Sequence, residues 1–219
     1  MAKIIGIIQV KGGAGRSTIA TNLAGMLAAE GRKVALVDCD MPQGTSASWA
    51  AIRRGDDLVG DMTVATAANH VELVERVQAL DGSHDYIVLD APPRIAEMTR
   101  AALILSRLCL IPLGASAAEL WATGDLMTTI NEAKAVKPDV DARILWTRFR
   151  GSTKSAQELS AAAKGELGLK ELGSKLGYRV AFSEALARGM TVLEWPERTA
   201  RVEFQAVGKE IKRILGVKS

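Results

Sequence analysis

Short apolar runs recur along the chain in a pattern typical of buried strands. The first run covers residues 4–10 and ends at a cluster of glycines, as expected for a strand buried on both faces of a parallel sheet. A second run covers residues 33–37 and stops at Asp38. Later runs occupy residues 86–89, 108–113, 144–146 and 178–182. Together these segments predict the strands of one sheet.

Helical spacing separates the strand-like runs. After Gly15, apolar residues spaced by four, three and one predict a helix that ends at Gly31. Further helical patterns occupy residues 71–80, 118–135 and 156–167. The alternation predicts an α/β fold with a mostly parallel, twisted sheet, helices on both faces, and ligands at the carboxyl ends of the strands. With no repeat and no long linker, residues 1–219 are expected to form a single domain.

Composition and length limit the class of protein. The chain has 219 residues, 48% of them hydrophobic and 24% charged, which excludes a disordered, collagen-like or coiled-coil chain. Cys39 and Cys109 form neither a disulfide framework nor a cluster with metal-ligand spacing, so a reducing cytosol is expected. Residues 4–10 lack a cleavage site, and Arg107 divides the later apolar stretch, so neither a secretory signal nor a membrane span is expected.

Charge is distributed unevenly along the chain. Residues 1–142 hold 13 basic and 17 acidic side chains, a net charge of −4, whereas residues 143–219 hold 15 and 8, a net charge of +7. Clustered Lys and Arg side chains release counterions from a phosphate backbone, so the basic last third favours a polyanion partner. An ordinary solvated surface accounts for the charge equally well.

A glycine-rich loop joins the first predicted strand to the first predicted helix. Its residues are Lys11, Gly12, Gly13, Ala14, Gly15, Arg16, Ser17 and Thr18. Glycines let successive N–H groups point inward, the helix N-terminus adds partial positive charge, and the Ser17 hydroxyl can ligate Mg²⁺. The loop is therefore predicted to bind nucleotide phosphates. The alternative is a glycine turn that only packs a helix on the sheet.

Three carboxylates follow predicted strands at one edge of the sheet. Asp38 and Asp40 come after the second strand, and Asp90 follows the run at residues 86–89. Because the carboxyl ends of parallel strands share an edge, all three are expected beside the glycine-rich loop. An Asx turn that caps the next helix is the alternative for Asp38 and Asp40. Cys39 is expected to be a small buried residue rather than a nucleophile.

The position of Lys11, ahead of two glycines, makes the loop resemble the deviant Walker A motif of the ParA/MinD family of ATPases. Residues 38–43 are similar to the family's D-x-D-P-Q motif, with Met41 intervening before the proline, and residues 86–93 resemble its Walker B segment. The resemblance continues through residues 119–122, 147–148, 178–185 and 189–192. It implies a three-layer P-loop NTPase fold that binds ATP and Mg²⁺.

The resemblance also implies roles for individual residues. Asp38 would lie in the water shell of Mg²⁺, and Asp90 would hold the ion through water together with Ser17. Asp40 would orient the attacking water. The positions that the resemblance brings near the adenine are Thr147 and Arg148.

Arg16 departs from the family, which has a lysine at this position. Lysine carries a compact point charge, whereas a guanidinium is planar, larger and bidentate toward phosphate. We predict that nucleotide binding persists, that hydrolysis is slow, and that Lys11, Arg16 and Asp40 form the catalytic set.

The resemblance implies an ATP-dependent switch in which two subunits bind ATP face to face and Lys11 reaches the partner's phosphates. A lysine at the mouth of the loop can neutralise charge on a facing nucleotide, which links dimerisation to ATP binding. The DNA-segregation branch of the family binds DNA without sequence preference, is cytoplasmic and nucleoid-associated, and responds to a ParB-like or cargo-adaptor protein. Candidate DNA-binding residues are Arg150, Lys154, Arg179, Arg188, Lys209, Lys212 and Arg213.

Two alternative functions stay open. A MinD-like membrane-cycling regulator would need a C-terminal amphipathic helix. The apolar residues with that spacing are Val207, Ile211, Ile214 and Leu215. We favour a packing helix and no membrane contact, because the segment is short and no Trp or Phe is expected on that face. The other alternative is a nucleotide-binding scaffold that Arg16 disables for hydrolysis. The cargo, whether plasmid, chromosome or large protein assembly, is left open.

Overall fold

Residues 1–55, 62–93, 95–149 and 154–217 are described by a computed structural model, with the backbone alone at 154–157. Within these ranges seven strands form one sheet in the order β3-β2-β4-β1-β5-β6-β7, and every described pair is parallel. The strands are β1 (Lys3–Ile7), β2 (Val34–Asp38), β3 (Met62–Thr66), β4 (Tyr86–Asp90), β5 (Leu108–Gly114), β6 (Ala142–Thr147) and β7 (Lys170–Glu171).

Helices cover both faces of the sheet. They are α1 (Arg16–Ala29), α2 (Thr45–Gly55), α3 (His70–Asp81), α4 (Ala96–Leu105), α5 (Ala117–Val136), α6 (Lys154–Leu167), α7 (Ala181–Ala187) and α8 (Arg198–Ile214). One buried core joins the sheet to α1, α2, α7 and α8, and a second core joins the opposite face to α3, α4, α5 and α6. The predicted three-layer α/β fold is therefore confirmed.

The central strand supplies both cores, because successive side chains of a strand point to opposite faces. Ile5 and Ile7 are fully buried in the first core, whereas Ile8, just after β1, is buried in the second. Apolar residues on both faces explain why the sequence shows an almost continuous apolar run here. The run that predicted a strand through residue 10 ends as a strand at Ile7, and the remainder enters the glycine-rich loop.

The C-terminal helix packs on α1. A Cβ atom at Gly208 would overlap the end of the Met26 side chain, so a larger residue here would require Met26 to shift where α8 packs on α1. Phe204, Val207 and Ile211 are buried on the inner face of α8. The expected packing helix is present. The expectation that no Trp or Phe lies on its apolar face is wrong, because Phe204 lies there. No helix in the described ranges is long and apolar enough to cross a membrane.

The strand predicted at residues 178–182 is wrong. Tyr178 and Val180 are 60% and 57% exposed in a loop, and α7 begins at Ala181. Ala181 and Ala185 are the buried residues of α7, and they are spaced by one helical turn. This helical spacing, which extends past residue 182, predicts the observed helix better than the short apolar run does. The edge strands β3 and β7 and the helices α2 and α4 had no counterpart in the predicted elements.

Candidate functional site

The glycine-rich loop lies between β1 and α1 at the carboxyl edge of the sheet. Gly13 and Gly15 adopt positive φ angles of 75° and 95°, which favour glycine. A Cβ atom at Gly12, Gly13 or Gly15 would meet nothing within 4 Å, so the inner side of the loop is open. The first N–H groups of α1 adjoin this open side and lack intrahelical partners. The loop can therefore receive an anion such as a phosphate chain.

Arg16 is buried beside the glycine-rich loop and lines the same small cavity as Gly15 and Ser17. Its Nη1 atom donates hydrogen bonds to the carbonyl oxygens of Gln9 at 2.7 Å and Lys11 at 2.8 Å. Its Nη2 atom lies 3.4 Å from Oδ2 of Asp40, and the side chain is 6% exposed. The guanidinium thus fastens the loop backbone and the Asp40 carboxylate together. Its Nε atom is buried without a hydrogen-bond partner among the described residues.

Lys11 is half-buried at the mouth of the loop. Its backbone carbonyl accepts a hydrogen bond from Arg16. Across the described ranges, no hydrogen bond or ion pair engages the Lys11 ammonium group. An unpaired cation at this position can act on negative charge that lies in front of the loop.

Asp38 and Asp90 end two adjacent strands and face each other in register across β2 and β4. Both carboxyl groups are fully buried. The two oxygens of Asp38 accept backbone hydrogen bonds, from Asp40 N at 3.0 Å and from Ala47 N at 2.8 Å. The second bond holds the start of α2. The predicted alternative of an Asx-type cap therefore describes the contacts of Asp38.

Asp90 is less completely satisfied than Asp38. Its Oδ2 atom accepts a 2.7 Å hydrogen bond from Ser46, while Oδ1 is buried without a partner among the described residues. Burial raises the pKa of Asp90 to about 6, against hydrogen bonds from the Ser46 and Ser17 hydroxyls that lower it. A buried carboxylate oxygen with no donor is a natural acceptor for a water molecule or a hydrated cation.

These residues fit Mg²⁺ bound with a nucleotide. Mg²⁺ keeps several waters and takes only one or two carboxylates together with substrate phosphates. No group of three or more His, Cys, Asp or Glu side chains suited to a metal ion occurs in the described part of the chain. Asp90 and the Ser17 hydroxyl are the groups that would hold the ion, with Asp38 one strand away. Cys39 is buried, and burial raises the pKa of its thiol far above the ordinary value, as expected for an inert residue.

The segment with Met41 closes a turn between Asp40 and α2. The Gly44 N–H donates a 2.8 Å hydrogen bond to the Asp40 carbonyl, and Gly44 has a φ of 57°. Met41 itself is 42% exposed. The turn absorbs the extra residue while Asp40 stays in contact with Arg16.

Beside the open side of the glycine-rich loop lies a separate cavity of about 380 Å³ with a largely apolar lining, called the second cavity below. Thr147 and Arg148, the residues predicted near the adenine, line this cavity, and the Arg148 guanidinium bonds to Oε1 of Glu119 at 2.7 Å. The predictions did not assign several other lining residues to the nucleotide. These are Ile19, Leu176, Gly177, Tyr178, Arg179, Val180, Phe182, Ser183 and Leu186. The apolar character of residues 178–182 was the available signal, but it was interpreted as a strand.

The candidate DNA-binding residues do not form one cluster. Arg150 lies outside the described residues, and the side chain of Lys154 is not described. Arg179 bonds to Glu203 at 2.8 Å beside the second cavity, and its prediction as a DNA contact stays a prediction. Arg188 lies over the Trp195 ring at 5.0 Å, and Lys212 pairs with Glu30 at 2.7 Å.

Lys209 and Arg213 are the candidate cations that share a surface groove in the described ranges. Both are exposed on the outer face of α8, and Arg213 makes only a 3.7 Å contact with Glu210. Such exposed cations, spaced by one helical turn, are available to phosphates.

Comparison with known proteins agrees with this geometry. Residues 5–192 match the family described as the CobQ/CobB/MinD/ParA nucleotide binding domain. The chromosome-partitioning ATPase Soj of Thermus thermophilus is 30% identical over 221 residues, covering 87% of this chain and 87% of that protein. The maintenance of carboxysome distribution protein A of Halothiobacillus neapolitanus is 26% identical over 212 residues, covering 96% of this chain and 94% of that protein.

Solved structures share the fold at lower sequence identity. The McdA–ATP complex of Cyanothece superimposes with a TM-score of 0.79 at 18% identity, covering 100% of this chain and 98% of that one. The septum site-determining protein MinD of Pyrococcus horikoshii, complexed with Mg-ADP, gives a TM-score of 0.77 at 19% identity, covering 100% and 99%. Both proteins therefore share the three-layer α/β fold of this chain over its whole length.

Proposed function

This chain belongs to the CobQ/CobB/MinD/ParA nucleotide-binding family, and on that premise we propose that it is an ATP-dependent dimerising switch that binds DNA without sequence preference and partitions or positions a cargo. Relatives named for chromosome partitioning and for carboxysome distribution support a role in partitioning or positioning a cargo. Residues 1–219 act as one domain in this proposal, since all seven described strands join one sheet.

The unpaired ammonium group of Lys11 is the observation that carries the proposal. It stands at the mouth of an open phosphate loop, while the Arg16 guanidinium is engaged by the carbonyl oxygens of Gln9 and Lys11. Exposed apolar side chains at the same carboxyl edge, including Met41, Ile95 and Trp121, add surface suited to a second copy of the chain. ATP bound in the loop presents negative charge toward that face, so dimerisation and nucleotide binding are linked.

The proposed chemistry is slow ATP hydrolysis. The loop N–H groups and the α1 N-terminus bind the phosphates, and Ser17 and Asp90 hold Mg²⁺, with Asp38 adjoining. Bound Mg²⁺ supplies neutralisation of charge on the phosphate oxygens. Asp40 orients the attacking water, and Arg16 restrains Asp40 through their 3.4 Å contact. Restraint of this carboxylate is the reason for slow turnover.

Lys209 and Arg213 support a DNA contact that tracks the phosphate backbone. Their exposure on α8 and the net charge of +7 in residues 143–219 favour sequence-independent binding. The proposed protein is cytoplasmic and nucleoid-associated, and a ParB-like or cargo-adaptor protein stimulates its hydrolysis. The burial of Phe204, Val207 and Ile211 in the core speaks against a lipid-binding α8.

Binding to arbitrary linear DNA with ATP, with ADP and without nucleotide, at two salt concentrations, tests this function. ATP-dependent, salt-sensitive binding is expected. Binding to anionic vesicles instead of DNA would replace the proposal with a MinD-like cycle. Arg16 favours one second candidate, a scaffold that binds ATP without hydrolysing it, and phosphate release over hours separates this scaffold from the switch.

A further inference from the structure

The wall of the second cavity is a loop that is joined to the sheet by backbone hydrogen bonds at its first residue, Leu176. The loop starts where Leu176 N donates to the Trp146 carbonyl at 2.8 Å and Phe149 N donates to the Leu176 carbonyl at 2.9 Å. Beyond Leu176 the wall continues through Gly177 and Arg179 to the start of α7. Side-chain contacts from α8 hold two residues of this part of the wall.

Glu203 of α8 supplies those contacts. One carboxylate oxygen accepts a 3.0 Å hydrogen bond from Gly177 N, and the other accepts a 2.8 Å bond from Nη2 of Arg179. Glu197, also at the α8 end, lies 3.9 Å from Nε of Arg179. A single side chain of α8 thus fixes both the backbone and the guanidinium of the cavity wall.

We propose that Glu203 is a positioning residue for the nucleobase: by holding Gly177 and Arg179 it shapes the apolar cavity beside the phosphate loop. This inference rests on the nucleotide site of the proposed function. The cavity lies next to Gly13 and Gly15, which is where a base attached to a loop-bound phosphate chain can reach. An apolar slot of about 380 Å³ suits a planar aromatic ring.

Gly177 fits this arrangement because the wall and α8 approach closely. A Cβ atom at position 177 would lie 3.1 Å from Oε1 of Glu203 and 3.1 Å from Nε of Arg179. Both contacts are tighter than most Cβ contacts in proteins, so Gly177→Ala requires the Glu203 and Arg179 side chains to move by a few tenths of an ångström and disturbs their hydrogen bonds to the wall. This substitution perturbs the same wall from the opposite side of the contact.

Glu210 provides a matched control on the same helix. It lies seven positions after Glu203, and its two oxygens accept hydrogen bonds from Gly173 N at 2.9 Å and Ser174 N at 2.8 Å. The chemistry of the contact is the same, a carboxylate of α8 holding a loop. The loop that it holds does not line the cavity beside the phosphate loop.

The test compares E203Q and E210Q with the wild-type protein. Dissociation constants are measured for a fluorescent ATP analogue and, by competition, for inorganic tripolyphosphate, which has no base. E203Q is expected to weaken binding of the ATP analogue about tenfold, the scale of one lost charged hydrogen bond, and to leave tripolyphosphate binding within about twofold. E210Q is expected to change neither. Thermal unfolding verifies that each variant is folded.

Outcomes separate this inference from the proposed function. Wild-type protein that binds neither probe overturns the nucleotide site and this inference with it. Wild-type protein that binds both, with E203Q unchanged or with both probes weakened equally, overturns only the role of Glu203. Gly177→Ala carries the same comparison if E203Q does not fold, and an unchanged ratio of the two dissociation constants would again overturn the role.

Discussion

The guanidinium of Arg16 lies 3.4 Å from the carboxylate of Asp40, so the first residue of α1 is tied to the turn that follows β2. The same guanidinium donates to the carbonyls of Gln9 and Lys11. A planar group with several donors can make all three contacts at once, whereas a lysine ammonium is a single compact charge.

Arg16→Lys is therefore expected to increase the rate of ATP hydrolysis. Release of Asp40 removes a restraint from the proposed water-orienting carboxylate, and we expect roughly a tenfold rise in kcat, equivalent to about 1.4 kcal/mol in the barrier. Single-turnover phosphate release measures it. Arg100→Lys, in the surface pair with Glu132, is the control and should have no effect. Unchanged turnover in R16K would contradict the role given to Arg16.

Lys11→Ala is expected to abolish ATP-dependent dimerisation while each subunit still binds ATP within about threefold of the wild-type affinity. The reason is that no residue in the described part of its own chain engages the Lys11 ammonium, which leaves it available to the charge of a facing nucleotide. Sedimentation with a non-hydrolysable ATP analogue and Mg²⁺ gives the mass. Lys3→Ala, which alters a cation over the Tyr86 ring, should still dimerise. A K11A dimer would refute the link.

Asp90→Asn is expected to stabilise the nucleotide-free protein by about 2 kcal/mol, because it removes a buried charge whose Oδ1 has no donor among the described residues. Asp38→Asn should do the reverse and cost about 1 to 2 kcal/mol, since an amide cannot accept both backbone hydrogen bonds. Urea unfolding in EDTA at pH 7.5 measures both values. Equal effects of the two substitutions would rule out this difference between the carboxylates.

Glu194 gives the protein a pH-dependent stability term. Although burial acts to raise its pKa, hydrogen bonds from Arg53 and Thr191 leave the pKa lowered from 4.5. A lowered carboxyl pKa stabilises the fold above pH 4.5, and the contribution is lost as the pH falls through the folded-state pKa.

Glu194→Gln should therefore reduce stability at pH 7 by about 1 kcal/mol, a modest figure because the carboxylate is partly solvated. The difference between the variant and the wild type should shrink as the pH falls below 4.5. Thermal unfolding across pH 3 to 8 measures the trend. Glu97→Gln, in an exposed contact with His70, serves as the comparison. A difference that grew at low pH would have the wrong sign.

Removal of Lys209 and Arg213 together is expected to weaken binding to all DNA sequences and to reduce the slope of log affinity against log salt by about 2. Fluorescence anisotropy at several salt concentrations measures the slope. Lys212→Ala should change the slope less, because Lys212 pairs with Glu30 within the chain. Equal slopes for the wild type and the double variant would exclude this face as the DNA contact.

The residues at the carboxyl edge of the sheet were predictable because each is marked by the sequence immediately before it. Asp38 and Asp90 each end an apolar run, and the glycine-rich loop follows another, so parallel topology alone brings them together. The register that sets Asp38 opposite Asp90 confirms this reasoning.

The cavity wall was not predictable from the sequence, because its structure depends on contacts between distant residues. From the sequence alone Arg179 is indistinguishable from an ordinary surface cation, because its ion pair with Glu203 joins residues 24 positions apart. The edge strand β3 is only half-buried, so it lacks a clear apolar pattern. Helix α2 buries polar Ser46 and Arg53, which bond to Asp90 and Glu194 and obscure the helical periodicity.

The central position of β1 also determines when the site can form during synthesis. Lys3 pairs with Tyr86 on one side, and Ile5 pairs with Leu108 on the other, so the first strand to leave the ribosome waits for partners made much later. Pairings this distant in sequence are slow to form, because the intervening chain must close first. The phosphate loop directly follows β1, so we expect it to gain its fixed shape only after β5 is in place. A nascent chain that ends before β5 is therefore expected to bind nucleotide poorly, and ATP is expected to assist only a late stage of folding.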